Sequence, residues 1–350
     1  MSDGFAIYRL PGEREWMLLE AAPGSVLRLN SYEELGSTEG FVMAPFVISD
    51  DCPLLVLQGK GVPQKEKNIV CGLDTPHSCI KENLIGDGRE QYHQDFERFH
   101  NHLLANDFEK LVLARSTYVD GKNAMDPLKL FATACALYPQ LFVALVSLKE
   151  CGTWLMATPE LLLESDGSQW HTMALAGTMK VGTSMLWSEK NLREQQLVTS
   201  YVRRQLMPLV DTLEESTPQT VRAGHLLHLR SDFTFKLPKG ETLLGKLVAA
   251  LHPTPAVCGL PKEAARDFIV ANESGQRCYY SGFCGPLSAD GSAHLFVSLR
   301  CMEIGAYGCL LHAGGGLLSD SVEDLEWEET DTKMDTMRKV CESFCLTSTS

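Results

Sequence analysis

The stretch HAGGGLLSDSVEDLEWEETDTKM, residues 312–334, is the densest concentration of residues able to do chemistry. Gly314, Gly315 and Gly316 follow an apolar, strand-like run, and without side chains their backbone N–H groups are open to an anion. An anion-cradling loop is expected there. Downstream, Asp320 and Ser321 supply helix-capping chemistry, and Glu326 and Glu329, three residues apart, fall on one face of the helix that follows. Lys333 comes four residues after Glu329. Carboxylates on a helix just past an anion cradle suit a divalent cation placed between the protein and a negatively charged substrate, since hard cations take oxygen ligands. The same pattern also describes an ordinary surface helix, whose first turn favours acidic residues and whose Glu–Lys pairs four apart are common. Spacing alone leaves both readings open.

The elements that must position these groups are read from periodicity and turn chemistry. Residues 1 to about 83 read as short strands broken by turns at Pro11-Gly12 and Gly59 to Pro63, with no evident chemistry. Gly86-Asp87-Gly88 opens a helix on which Tyr92, Phe96, Phe99 and Leu103 recur at helical spacing. His93, His100 and His102 ride on it as packed or solvated residues rather than metal ligands, because residues two apart do not share a face. Phe108 to Arg115 is a short strand with Lys110 and Arg115 on opposite faces, so one of them points inward. A helix from about Pro127 to Tyr138 precedes a fully apolar, buried strand at Leu141 to Val146.

Thr153 to Ala157 and Glu160 to Glu164 are strand-like, and Asp166-Gly167 turns the chain into Trp170 to Leu175, a strand that ends in Ala176-Gly177-Thr178-Met179-Lys180. Ser188 caps a helix reaching Leu206, with Glu194 on the side of the apolar stripe, where a carboxylate needs a partner. His228 to Ser231 precede another strand, and Leu251 to Gly259 form a loop stiffened by Pro253 and Pro255. Pro261 starts the next helix. Gln276 to Gly282 then lead into two strands separated by Asp290-Gly291, and Arg300 ends the second, ahead of the glycine cluster.

Composition sets bounds on partners and class. At 350 residues with 44% hydrophobic and 22% charged residues, the chain is an ordinary globular protein of one or two domains. A net charge of −14 without a Lys/Arg cluster excludes a nucleic-acid partner, though not an anionic substrate. No apolar run approaches a membrane span. Twelve scattered cysteines without CxxC pairs, in a chain with no signal peptide, fit reduced thiols in a cytoplasmic protein.

Taken together, KLVLAR, TPELLLE, LAGTMK, SEKNLREQQLV, LHPTPAVCGLP, YYSGFCG, VSLRC, HAGGGLL and EWEETDTKM resemble the chorismate-utilising enzymes, and within them the isochorismate synthases. The match runs from about Phe108 to Met337 in the family's order. The resemblance implies an α+β fold, like that of anthranilate synthase component I, in which large, mostly antiparallel sheets flanked by helices enclose an Mg²⁺ site. Residues 1–88 would be a variable β-rich segment of that same fold and 89–350 the chorismate-binding catalytic domain. Lys110 matches the general base and Glu160 the general acid. Glu194 and Glu329 match the Mg²⁺ ligands, with Glu326 beside them. Substrate-binding positions implied are Ala176, Gly177, Thr178, His228, Ala256, Val257, Tyr280, Arg300, Gly314, Gly315, Gly316 and Lys333. One departure is Glu194-Gln195, where the family often has Glu-His. The resemblance further implies a monomer or weak homodimer that takes the small molecule chorismate and feeds menaquinone or siderophore synthesis.

These residue types suit the implied chemistry. Moving a hydroxyl from C4 to C2 of chorismate requires water to attack while hydroxide, a poor leaving group, departs. A glutamic acid with a raised pKa can protonate the leaving oxygen, and a lysine brought well below about 10.4 can take the proton from water. In isolation Lys110 reads equally as an edge-strand lysine and Glu160 as a strand-end carboxylate. Salicylate synthases, which share the lysine and go on to eliminate pyruvate, are the alternative within the family, and a non-catalytic chorismate-binding relative is the alternative outside catalysis.

Overall fold

The computed structural model describes residues 3–64, 88–121, 125–182, 186–224, 226–238 and 243–347. Two large sheets carry the chain, and every strand pairing among the described residues is antiparallel. The first runs from edge to edge as β15 (Gly259–Leu260), β7 (Lys110–Asp120), β19 (Gly308–Leu317), β18 (Cys301–Ile304), β9 (Gly152–Thr158), β8 (Phe142–Leu148), β1 (Gly4–Arg9), β2 (Trp16–Ala21) and β6 (Val62–Gln64). The second runs as β12 (Thr212–Glu215), β14 (Leu226–Lys236), β11 (Trp170–Lys180), β10 (Leu161–Asp166), β17 (Ser292–Val297), β16 (Phe283–Leu287), β4 (Gly40–Ala44), β5 (Leu54–Gln58) and β3 (Val26–Leu29), with β13 (Gln219–Ala223) also on β14. The first 64 residues are woven into both sheets: β1 pairs β8 and β4 pairs β16. The expected segment at Gly86-Asp87 lies outside the described residues.

The strands alternate between two cores, as a period of two requires. Phe142, Ala144, Val146 and Leu148 of β8 face the second sheet, where Phe142 stacks on Phe296 with centroids 4.2 Å apart. Val143 and Leu145 face outward onto α2 (Pro127–Leu137) and α6 (Glu323–Thr347). On the far side of the second sheet, α3 (Glu189–Leu206) and α4 (Leu244–Leu251) cover a further core. The result is a helix, sheet, sheet, helix stack, the α+β architecture. α1 (Arg89–Leu104) and α5 (Lys262–Asn272) close the end of the first sheet over β7 and β19.

Local sequence explains the helices. Ser188 accepts from the Asn191 N–H at 3.2 Å to start α3, and Asp126 accepts from two N–H groups ahead of Pro127. Pro261 stands one place before α5 as its cap rather than inside it. Ser321 does not cap α6 either, since its hydroxyl accepts from the Leu318 N–H at 3.0 Å and closes the preceding turn.

Several strands differ from expectation. The strand at Lys110 is eleven residues long, because β19 pairs along all of it from Asp120 to Leu111. His228 to Ser231 lie within β14 rather than before it. β11 ends at Lys180, as expected of the stretch Ala176 to Lys180, but it passes through a bulge at Gly177 (φ +67°), where the register to β14 shifts. The largest difference concerns Gly314 to Gly316, which are not a loop but the end of β19, paired to Ala114, Leu113 and Val112.

Candidate active site

The glycines act from within a strand because β18 stops short. Its last partner on β19 is His312, so beyond that point one edge of β19 is open. The Gly314 carbonyl faces that edge and accepts from Lys333 Nζ at 2.8 Å. In an antiparallel strand the N–H and C=O of one residue point the same way, so the N–H groups of Gly314 and Gly316 also face the open edge, while Gly315 turns toward β7. Absent side chains matter as much. A Cβ on Gly316 would lie 2.2 Å from Glu194 Oε1 and 3.0 Å from Lys110 Cε, and one on Gly314 would lie 2.8 Å from the Tyr280 hydroxyl.

A cleft opens there, with about 610 Å³ of empty space when the open solvent at its mouth is counted. Glu160, Ala176, Gly177, Thr178, Glu194 and His228 line it, together with Ala256, Val257, Tyr280, Arg300, Gly314, Gly316 and Lys333. Lys110, Gly315, Glu326 and Glu329 do not reach its wall. Thus the long β11 bulge, the loop after α4, the turn before β16 and the open edge of β19 meet at one place. The helical histidines stand apart, with His93 on Glu323, His100 on the Ser319 carbonyl and His102 on Asp107.

Glu160 sits in the turn between β9 and β10, not in a strand, and is 3% exposed. Burial pushes its carboxyl from 4.5 up to about 7, against the Thr254 hydroxyl at 3.3 Å and the positive charges of Lys110, Lys333 and Arg300. Near neutrality it can therefore still carry a proton. Lys110, fully buried, points inward, whereas Arg115 lies over the Trp327 ring at 3.6 Å and pairs with Asp331. Lys110 Nζ is 2.8 Å from Glu194 Oε1, but the contact lacks hydrogen-bond alignment. Burial alone would raise the Glu194 carboxyl; the charges of Lys110 and Lys190 outweigh it and hold the group low.

Arg300 and His228 form one unit. His228 Nδ1 donates to the Gly177 carbonyl at 2.8 Å, which leaves Nε2 to accept from Arg300 Nη2 at 3.1 Å. Burial, then the neighbouring guanidinium, lowers the imidazole to about 3, so it is neutral. Burial also brings Arg300 down to about 10. Its backbone is left-handed at φ +46°, an unusual cost for arginine that turns the side chain into the cleft.

Each carboxylate of the acidic group faces a lysine: Glu194 faces Lys110, Glu329 faces Lys333 at 2.7 Å, and Glu326 pairs with Lys190. As the side chains stand, no three acidic, His or Cys groups among the described residues converge closely enough to hold a metal ion. Yet Glu326 Oε2 is buried with no hydrogen-bond partner, an oxygen of the hard-ligand type left unused. Gln195, the departure noted above, faces away from this group. Its amide donates to the Ala174 carbonyl at 3.0 Å and ties α3 to β11.

Three residues at or beside the cleft escaped the sequence reading. Lys190 was signalled only by its place four before Glu194 on α3, Thr254 only by lying in the two-proline loop. His312 was within the opening motif but carries no spacing signal of its own; it lines the cleft, stacked between Trp154 and Tyr280.

Comparison with known proteins places this geometry. Residues 66–342 match a family model described as chorismate binding enzyme. Over 243 residues the chain is 32% identical to the isochorismate synthase EntC of Escherichia coli strain K12, covering 66% of this chain and 62% of that protein. It is 30% identical over 265 residues to the isochorismate synthase DhbC of Bacillus subtilis strain 168, covering 71% and 67%. The chain thus spans under two thirds of EntC. In fold it is similar to MenF, the menaquinone-specific isochorismate synthase from Escherichia coli (TM-score 0.79, 23% identity, 97% of this chain and 88% of that one). It is also similar to anthranilate synthase component I from Streptococcus pneumoniae TIGR4 (TM-score 0.69, 18% identity, 95% and 89%).

Proposed function

Since the chain belongs to the chorismate-binding enzymes, we propose that it is an isochorismate synthase, an isomerase that converts chorismate to isochorismate by addition of water at C2 and loss of the C4 hydroxyl. The observation that carries the reading is Glu160, a carboxyl held at about 7 in a cleft that also presents Arg300, Tyr280 and the open edge of β19. Glu160 donates its proton to the departing C4 oxygen, which leaves as water. Lys110 removes a proton from the attacking water as its oxygen bonds to C2, and the ring double bonds shift between the two positions. Arg300, with His228 fixing its guanidinium, takes a substrate carboxylate, and the Gly314 and Gly316 N–H groups complete that recognition.

We infer that the acidic group takes Mg²⁺ once its carboxylates turn from the lysines they now face. Glu194, Glu326 and Glu329 would hold it, a reading supported by the unpartnered Glu326 Oε2 and by three carboxylates whose charge is now balanced only by lysines. When bound, Mg²⁺ supplies Lewis-acid polarisation of a substrate carboxylate.

Incubation with chorismate and Mg²⁺, followed by chromatography, tests the proposal. Isochorismate is expected. Salicylate with pyruvate would instead assign the elimination activity as well, and no product at all would make the chain a binding protein.

A further inference from the structure

Among the polar groups of the cleft that the mechanism above does not use, His312 stands out. His312 is 5% exposed, lines the cleft, and its Nε2 has no hydrogen-bond partner among the described residues. An unmade bond of this kind is costly unless something outside the protein supplies it, so a persistent one points to a ligand or an ordered water. His312 also stands two residues before Gly314 and four before Gly316. By the period of two, its side chain leaves β19 on the same face as theirs, the face that looks onto Tyr280 and Glu194. Two aromatic rings pack against it. Trp154 stacks on one neighbour plane at 5.3 Å and 25°, and Tyr280 on another at 5.5 Å and 15°. Burial lowers the imidazole to about 4, so it is neutral and carries a single N–H.

We propose that His312 is a further substrate-positioning residue, whose neutral ring N–H donates to the substrate at the Tyr280 and Arg300 end of the cleft. The inference rests on the isochorismate synthase reading, because it takes the acceptor to be a carboxylate of that substrate. A clamped, neutral donor suits this place better than another cation would. Arg300 already supplies the charge, and a second buried cation would have to be paid for whenever the cleft is empty.

The test compares His312→Phe with His312→Gln and His312→Asn, using chorismate as substrate and following KM and kcat separately, with thermal unfolding as a check on folding. Phenylalanine keeps the stack between Trp154 and Tyr280 but removes the donor. It should raise KM about tenfold or more, the loss expected of one hydrogen bond to a charged group, with kcat changed far less. The amide variants restore an N–H and should recover part of that loss. A wild-type KM in His312→Phe overturns the proposal. So does an equal rise in all three variants, which would mean that ring shape alone matters. Should His312→Phe fail to fold, the amide variants still decide, since a role confined to packing predicts that they are worse than wild type in stability and no better than His312→Ala in KM. Wild-type protein that makes no isochorismate would instead remove the functional reading on which this one stands.

Discussion

Glu160→Gln should inactivate the protein and, above neutral pH, stabilise it. The folded protein holds the Glu160 carboxyl at about 7, raised from 4.5 chiefly by burial. A group whose folded pKa is raised contributes stability that is fully present below 4.5 and is lost as pH rises through about 7. The window spans about 2.5 pH units, which at 1.36 kcal/mol each is about 3 kcal/mol. Glutamine cannot ionise, so it escapes that loss while keeping the shape and the contact with Thr254. Urea unfolding of both proteins at pH 5 and pH 8.5 reads the effect as a double difference, in which other titrating groups cancel. The variant should gain most of the 3 kcal/mol between the two conditions. Its rate should fall by about 10²–10⁴, and wild-type kcat/KM should decline about tenfold per pH unit above 7 as the acid is lost. A variant whose relative stability does not change with pH would show that Glu160 is not buried as an acid, and the assignment as proton donor would go with it.

Other expectations follow from the same geometry. Gly316→Ala places a Cβ 2.2 Å from Glu194 Oε1 and should cost about a hundredfold or more in activity by displacing the Lys110–Glu194 pair. Gly315→Ala, whose nearest contact would be 3.4 Å, should stay within a few-fold of wild type, and equal loss in both would reject the argument. Arg300→Ala should raise KM by about ten- to a hundredfold, the worth of a charge-assisted carboxylate contact, and Arg300→Lys should recover little because the fork is lost. Excess EDTA should abolish turnover, and so should Glu194→Ala or Glu329→Ala in protein that still melts cooperatively; full activity in EDTA would end the Mg²⁺ proposal.

Helices were the legible part of the fold, because a 3.6-residue apolar stripe is a local signal, although of the two serines read as caps only Ser188 caps its helix. Ser188 and the stripe of Val198, Tyr201, Val202 and Leu206 mark α3 to within a residue of its ends. Strand extent was not legible. β8 is buried on both faces, so it shows no alternation, and the length of β7 is set by β19, about 200 residues away in sequence. The glycines illustrate the limit best. Three in a row read as a loop by propensity, yet they continue a strand because Lys110, Glu194 and Tyr280 occupy the space their side chains would need. Most site residues were reached through motif order rather than through spacing. His312 and Lys190 were not, since each takes its meaning from partners on other elements.

Two buried ion pairs beneath the cleft show how the site differs from its scaffold. Arg277 and Glu273 meet through two contacts of 2.6 Å, and the guanidinium also donates to the carbonyls of Val112 and Val257, while Glu273 accepts from the Ala114 N–H at 2.7 Å. Four of the five guanidinium N–H groups and both carboxylate oxygens are used, and the bonds run to backbone beside Lys110 and to the loop that lines the cleft. Such a pair repays its desolvation through geometry and fixes the elements it joins. In the Lys110–Glu194 pair the lysine is fully buried while the carboxylate reaches the cleft wall, and the two make one contact, without hydrogen-bond alignment. By the same energetics it is poorly compensated, and nothing in the packing around Gly316 requires either charge. A stable core would replace it with apolar side chains. Beside a carboxyl held near 7 and an arginine in left-handed backbone, such a pair is what the proposed proton transfer calls for and what stability alone does not.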